Sequence, residues 1–390
     1  MGSDSKIMII DFTNYEDYPI GGYLTFAKSM IETFGNDLAL VGITTSQSEP
    51  VGRWFKKEIN GTFNDFFAFA RYKKSKTRHL IPDRLVSYIL IRLFKRSIFS
   101  KKIENVFLQR QEMLLAIPDI KSRNVCYCFA GLENPLAISK YNYAAYISKW
   151  FERVFFKRLR LVRTILASGD NNAIREMITR SGGLLSESRI IKFPTRINTE
   201  IFRPSDKVKT RRELGLPESS TIVITTGRIA PLKGWEFMID SFLQFIKSVP
   251  DSMFYFIGEG EDQEKIKHYI YARNLNDKVI ITGRKSQHEV ALFLNASDLF
   301  IMGSYKEGWS TSLIEAIACG LPSCVTNFSS AREIIEEGIN GYVVDGYQTD
   351  LFADNMIKAL SLRRPVKNDT IIMLSSDRLK ADLLQYWELR

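Results

Sequence analysis

The sequence predicts an α/β protein built from two doubly wound domains. Three observations carry this reading. The chain has 390 residues, more than one hydrophobic core usually supports. Short apolar runs alternate with amphipathic stretches in both halves, and strand, glycine-bearing turn and helix in that order build a parallel sheet with right-handed crossovers. A break separates the halves: residues 193–207 hold two prolines and no sustained period, which suits an interdomain connection.

The elements follow in order. A strand from Lys6 to Asp11 leads into a loop with Gly21-Gly22 and a helix from Tyr23 to Phe34. Asp37 to Thr44 is the next strand, and Asn105 to Gln109, Val125 to Phe129 and Thr164 to Ser168 extend the sheet. Beyond the break, strands fall at 221–226, 253–257, 278–282, 298–302 and 322–326, with helices at 234–248, 261–273, 287–296, 311–319 and 330–337. The expected domains are residues 1–195 and 196–375, with a last helix, 376–390, packing back across the first. Two such domains side by side leave a cleft at the carboxyl ends of their strands, where open α/β sheets bind ligands.

Composition excludes several classes. No stretch reaches the ~18 uninterrupted apolar residues of a spanning helix, because Arg92, Lys95 and Arg96 interrupt the best candidate. No signal peptide is legible at the N-terminus. The four cysteines, Cys126, Cys128, Cys319 and Cys324, are too few and too clustered for a disulfide framework. Cys126 and Cys128 are expected on one face of a strand, opposite Tyr127. Neither they nor the histidines His79, His268 and His288 form a zinc spacing. A reduced, cytoplasmic protein is the expectation.

The net charge of +10 is unevenly placed. Residues 1–195 hold 30 Lys and Arg against 18 Asp and Glu, whereas residues 196–390 hold 24 against 26. Residues 148–163 mix six cations with bulky apolar groups at roughly helical spacing, and 53–57 and 84–102 have similar character. A basic amphipathic helix of this kind lies on anionic lipid; its plainer reading is a core-facing helix with a solvated basic face. Nucleic acid suits the charge too, but no recognised binding module accompanies it, so it is not expected as a partner.

Chemistry concentrates in two segments. Thr226-Gly227-Arg228-Ile229-Ala230-Pro231-Leu232-Lys233-Gly234 lies between a strand and a helix. Glycine lets a ligand approach the backbone, the helix start favours an anion, and Arg228 and Lys233 add two cations; together they suit a diphosphate. The second segment, Ser304 to Ala316, also joins strand to helix. Ser310 is a fitting N-cap, which would leave the amides of Thr311, Ser312 and Leu313 turned outward. Glu307 in the loop and Glu315 one turn into the helix straddle that end. Carboxylates accept hydrogen bonds from hydroxyls, so a ligand carrying both phosphate and sugar explains the pair. Gly258-x-Gly260 is not a dinucleotide fingerprint, since Gln263 stands where a third glycine belongs.

The pattern Gly-Arg-x4-Lys-Gly at 227–234, Glu-Gly-x6-Glu-Ala at 307–316 and Cys-Gly-Leu-Pro at 319–322 resembles the family 4 retaining glycosyltransferases. Supporting elements come in the same order: Gly258-Glu259-Gly260, Thr282-Gly283-Arg284, and Asn340 to Val344, with Asn198 to Pro204 similar to the segment joining that family's domains. The resemblance is strong over about 193–345 and weak before it. It implies the GT-B fold, two Rossmann-like doubly wound domains facing each other across a cleft. By position, it implies that Arg228 and Lys233 hold the donor diphosphate and Glu307 the transferred sugar, making these three the catalytic candidates. Glu315 would take the ribose, and main chain at Gly283 and Arg284 the base. Gly227, Gly308, Trp309, Ser310, Thr311, Ser312 and Leu313 complete the donor site, and Gly21 and Gly22 resemble the family's N-terminal phosphate and acceptor loop.

The implied activity is transfer of a sugar from a nucleotide-sugar to a saccharide acceptor, lipid-linked if the basic half meets a membrane, in surface polysaccharide or glycolipid biosynthesis at the inner face of the cell membrane. Cations and helix amides aimed at the leaving diphosphate stabilise the transition state without a metal or other cofactor. One departure stands out: where many members carry a histidine after a first-domain strand, this chain reads Cys128 to Asn134 with none, so only Glu133 or Asn134 offers a substitute. The rival readings are a nucleotide-sugar epimerase or phosphorylase on the same fold, and a non-catalytic nucleotide-sugar-binding protein.

Overall fold

The protein is seen in a computed structural model, and the residues it describes are 5–19, 22–73, 81–129, 134, 136, 144–367 and 369–388. The chain divides into two compact units, Met1–Pro194 with Leu379–Arg390, and Thr195–Arg378.

The first unit contains β1 (Ile7–Ile10), α1 (Gly22–Phe34), β2 (Leu38–Thr44), β3 (Trp54–Ile59), β4 (Thr62–Arg71), α2 (Asp83–Leu93), α3 (Lys95–Ile98), β5 (Asn105–Leu108), α4 (Gln111–Ala116), β6 (Asn124–Phe129), α5 (Ala144–Leu159), β7 (Thr164–Ala167), α6 (Asn171–Arg180) and β8 (Ile190–Lys192). The sheet order is β3-β4-β2-β1-β5-β6-β7-β8. Covered on both faces, its central strands read as unbroken apolar runs: all of β1 and β2 are buried. Alternation sorts their side chains. Met8, Ile10, Val41, Val106 and Tyr127 meet a layer holding Ile91, Leu114 and Phe155. Ile9, Leu40, Phe107, Cys126 and Cys128 meet α1 on the other face. The two cysteines thus share one face opposite Tyr127, and all four thiols are unpaired and buried.

Within the first layer the short α4 is buried between α2 and α5. Arg84 of α2 pairs with Glu112 of α4 at 3.0 Å. Arg158 of α5 donates to the carbonyls of Leu114, at 3.4 Å, and Ile117, capping the carboxyl end of α4.

One expectation fails here. Residues 53–57, grouped with the basic amphipathic stretches, form β3 instead, the one antiparallel strand of the sheet. Asn60 and Gly61, both at positive φ, turn the chain into β4. Lys57 is buried between Glu16 and Glu49, each at 3.0 Å, and the Trp54 indole donates to Ser97 at 2.9 Å. These side chains are committed to the fold.

The second unit contains α7 (Lys207–Leu214), β9 (Thr221–Thr226), α8 (Trp235–Phe245), β10 (Ser252–Ile257), α9 (Gln263–Ala272), β11 (Val279–Gly283), α10 (Gln287–Ala296), β12 (Leu299–Met302), α11 (Thr311–Ala318), β13 (Ser323–Thr326), α12 (Ala331–Ile334), β14 (Gly341–Val344), α13 (Thr349–Leu360) and α14 (Thr370–Met373). Its six strands run in the order β11-β10-β9-β12-β13-β14, all parallel; β14 adds a sixth to the five expected. Successive strands step outward from β9 on one side, then restart at β12 on the other. The winding therefore reverses between β9 and β12, and the crevice outside their carboxyl ends is where such sheets take ligands. Behind it, Arg211 is buried, donating to the carbonyls of Glu218, Ser220 and Ala296 and to Asp298. Asp298 in turn accepts from the Ile222 amide at 2.8 Å, tying α7 to the amino end of β9.

The closing helix α15 (Leu379–Tyr386) belongs to the first unit. Leu379, Leu383 and the fully buried Trp387 join the core beneath α1, and the Trp387 indole donates to the Asn124 carbonyl at 3.2 Å.

Candidate functional site

The loops after β9 and β12 carry the two motif segments to the reversal point of the second sheet. Backbone contacts clamp them. The Gly227 amide donates to Ile257 at 3.0 Å, the Ile229 amide to Glu259 at 3.0 Å, and the Tyr305 amide to Leu232 at 2.9 Å. Two glycines permit this closeness. A Cβ on Gly258 would sit 1.8 Å from the Gly227 carbonyl oxygen. One on Gly234, whose φ is +63°, would sit 2.0 Å from the Gly303 carbonyl oxygen. Gly234 thus both ends the turn Pro231–Lys233 and lets the β12 loop close against it.

Lys233 and Glu307 meet there. Lys233 Nζ pairs with Glu307 Oε1, and the same oxygen accepts from Ser304 Oγ at 2.8 Å. The Glu307 carbonyl accepts from Ser329 at 2.7 Å, so side chain and main chain are both held. Thr225, Thr226, Lys233, Met302 and Ser304 line the crevice. Thr226 Oγ1 is buried in it without a hydrogen-bond partner among the described residues. Arg228 points to the exposed Glu261 at 2.8 Å.

Helix α11 starts at the same place: a Cβ on Gly227 would lie 3.6 Å from Ser312 Oγ. Ser310 caps it, accepting from the Leu313 amide at 3.4 Å. This corrects the expectation that three amides face outward. The Leu313 amide is taken by the cap and its side chain is buried; the amides of Thr311 and Ser312 keep no acceptor among the described residues. Glu315 is half-buried and its carboxylate has no partner among the described residues. Burial pushes its carboxyl up to about 8.

Of the remaining candidates, Gly308 and Trp309 lie between Glu307 and Ser310, and Gly283 bridges to Gly258 beside Gly227, whereas Gly22 and Asn134 belong to the first unit. Gly308 is exposed, and Trp309 packs against the core that holds Leu313. Gly283 ends the edge strand β11, and Arg284 beyond it is exposed. Gly22 opens α1, while Gly21 and Glu133 lie outside the described residues. Asn134 is occupied locally, donating to Ser148 and accepting from the Leu136 amide, both at 3.0 Å. Sequence reasoning did not single out Glu261 or the Thr226 hydroxyl: neither residue type marks a site until the fold turns it toward one.

In the first unit the winding reverses between β1 and β5. Asp11 follows β1 and Arg110 follows β5; the two form a buried ion pair, with the guanidinium 4.1 Å from the centre of the Tyr23 ring. Burial works against the Arg110 charge, but Asp11 and Glu112 outweigh it and raise its pKa. Asp11 Oδ2 and Glu112 Oε1 are buried without partners among the described residues.

Comparison with known proteins bears on both units. Residues 206–371 match the family model described as glycosyl transferases group 1. Among curated relatives, N-acetyl-alpha-D-glucosaminyl L-malate synthase of Bacillus anthracis is 28% identical over 164 residues, 42% of this chain and 42% of that protein. UDP-Gal:alpha-D-GlcNAc-diphosphoundecaprenol alpha-1,3-galactosyltransferase of Escherichia coli is 26% identical over 175 residues, covering 44% and 45%. The chain thus spans less than half the length of these relatives. Solved structures match nearly throughout. Sucrose-phosphate synthase from Thermosynechococcus elongatus has a TM-score of 0.70 at 14% identity, covering 98% of this chain and 96% of that one. WaaG, a glycosyltransferase involved in lipopolysaccharide biosynthesis, has 0.67 at 15%, covering 98% and 97%. The second unit thus matches the glycosyl transferases group 1 over residues 206–371, and the fold of the chain is GT-B.

Proposed function

We propose that this protein is a retaining glycosyltransferase whose second unit holds a nucleotide-sugar, and that it transfers the sugar to a lipid-linked saccharide served by the first unit. One observation carries the reading: Lys233, Glu307 and the free amides of Thr311 and Ser312 gather at the reversal point of the second sheet. The amides and Lys233 suit a diphosphate. Glu307 and Glu315 suit sugar hydroxyls on either side of it. Lys233 and Glu307 neutralise each other in the free protein; a bound diphosphate takes over the lysine and frees the carboxylate for the sugar. As the glycosidic bond breaks, charge grows on the leaving diphosphate, and Lys233, Arg228 and the helix amides stabilise it where it develops. We assign no metal or other cofactor to this step.

Relatives support the finer points. The Escherichia coli relative is named for UDP-Gal and a diphosphoundecaprenol-linked acceptor. A Corynebacterium glutamicum relative is named for GDP-mannose and a phosphatidylinositol monomannoside. Both names specify alpha linkages. By this reading the enzyme works at the inner face of the cell membrane in surface polysaccharide or glycolipid biosynthesis. No described helix is long and apolar enough to cross a membrane.

The test is a thermal-shift screen of common nucleotide-sugars, followed by transfer assays with the donor that binds. Glu307→Ala is expected to keep the fold and lose transfer. Full activity in that variant would remove the site assignment.

A further inference from the structure

The layer of α2, α4 and α5 leaves an outer face that the sugar chemistry does not use. Along α2, Leu85, Ile89 and Leu93 are exposed at successive helical turns, Leu93 by 70%, and Ile81 precedes them in line. Arg92, Lys95 and Arg96 flank this row and are exposed. Along α5, Tyr146, exposed by 91%, and Trp150, by 64%, lie on the same face as Lys149, Arg153 and Lys157. With α4 buried between them, the two helices form one surface. Burial and then Arg92 lower the pKa of Arg158, so the two helices stand within range of each other's charge.

The carboxylates of this layer are already engaged. Glu112 pairs with Arg84, Glu152 with Arg180, and Asp83 with the Tyr72 hydroxyl. Among the described residues of these helices the unpaired charge is therefore positive. Cations crowded on one face repel each other, and an anionic surface relieves them. Apolar side chains in a row, with aromatic and cationic neighbours, are what an interfacial helix puts into the headgroup region. A soluble monomer has little reason to keep such a patch in water.

We infer that the outer face of α2 and α5 docks on an anionic lipid bilayer, with Leu85, Ile89, Leu93 and Trp150 entering the interface and Arg92, Lys95, Arg96, Lys149, Arg153 and Lys157 meeting lipid phosphates. The inference deepens the reading of a lipid-linked acceptor and rests on it for its biological sense. Lipid binding is measured without any sugar, so the two readings fail separately.

The experiment is co-sedimentation of the full chain with vesicles of phosphatidylcholine mixed with phosphatidylglycerol, and with phosphatidylcholine alone. Binding is expected to the mixed vesicles, falling as salt is added. Tryptophan emission should shift to the blue on binding, and the shift should shrink in Trp150→Phe. Removing three cations in Lys149→Gln/Arg153→Gln/Lys157→Gln should weaken partition about a hundredfold. Leu85→Ser/Ile89→Ser/Leu93→Ser should weaken it while leaving the salt dependence in place. Both triple variants change exposed side chains and should keep the parent's circular-dichroism spectrum and cooperative thermal melt, which reports that the first unit stays folded. Three results overturn the inference: equal binding to both vesicle types, unchanged partition in the charge variant, or capture by single-stranded RNA with none by vesicles. Should a variant fail to fold, the parent's vesicle preference and the Trp150 shift still decide.

Discussion

The two sheets reverse their winding at equivalent points, yet the two points differ in kind. In the second unit the loops at β9 and β12 leave Lys233 and Arg228 accessible, and two helix amides without acceptors among the described residues. In the first unit the corresponding ends of β1 and β5 are closed by Asp11, Arg110 and Glu112, with Tyr23 against the guanidinium. Topology sets where a crevice forms; the side chains that close it decide whether it receives a ligand. Part-exposed cations paired with carboxylates can exchange those partners for a ligand's phosphates, whereas a buried ion pair cannot open without stranding a charge. A lost charge should therefore cost function in the second unit and stability in the first.

The largest effect is expected from the first unit. Arg110→Ala leaves the buried Asp11 carboxylate without its ion-pair partner and should destabilise the unit by about 3–5 kcal/mol in urea denaturation, with nucleotide binding by the folded fraction unchanged. Near-normal stability would mean that the cluster is open to solvent after all. Lys233→Ala is the mirror experiment. Transfer should fall about 10²–10³-fold, while stability moves by less than about 1 kcal/mol because the pair with Glu307 is partly solvated; steady-state kinetics and thermal melts separate these. Gly234→Ala should blur the contrast, costing about 1–3 kcal/mol for its positive φ and donor affinity too, since the added Cβ displaces the Gly303 carbonyl. Melts and calorimetric titration on one preparation read both losses.

The smallest effect concerns Glu315. Its folded value near 8 lies above the ordinary 4.5, so between these pH values the folded chain holds a proton that the unfolded chain has released. Its contribution to stability is whole below 4.5 and is lost progressively as pH rises to about 8. Glu315→Gln does not titrate. Its melting temperature relative to the parent should rise from pH 5 toward pH 8, and a constant difference would show that the carboxyl is not desolvated.

Much of this was legible beforehand. The βα rhythm and the two motif segments marked the second unit, because parallel strands buried on both faces and helices with one wet face leave distinct periods. Other features were not. The basic run at 53–57 matched a surface helix in composition, yet it is a strand whose Lys57 is interior; the signal that could have corrected it was Asn60-Gly61, a hairpin turn. The Asp11, Arg110 and Glu112 cluster brings together residues 99 positions apart, and no local pattern marks it.

The sequence alone determined the fold class and the residue types of the proposed anion site. Glycines, a Lys and a capping Ser act through their neighbours in the chain, so their spacing carries their meaning. Only the tertiary structure decided that Lys233 rests on Glu307, that Ser310 takes the Leu313 amide, that Arg110 pairs with Asp11 inside the first unit, and which helices turn an apolar row outward. These depend on which distant segments meet, and thus on burial and charge pairing that no short stretch contains.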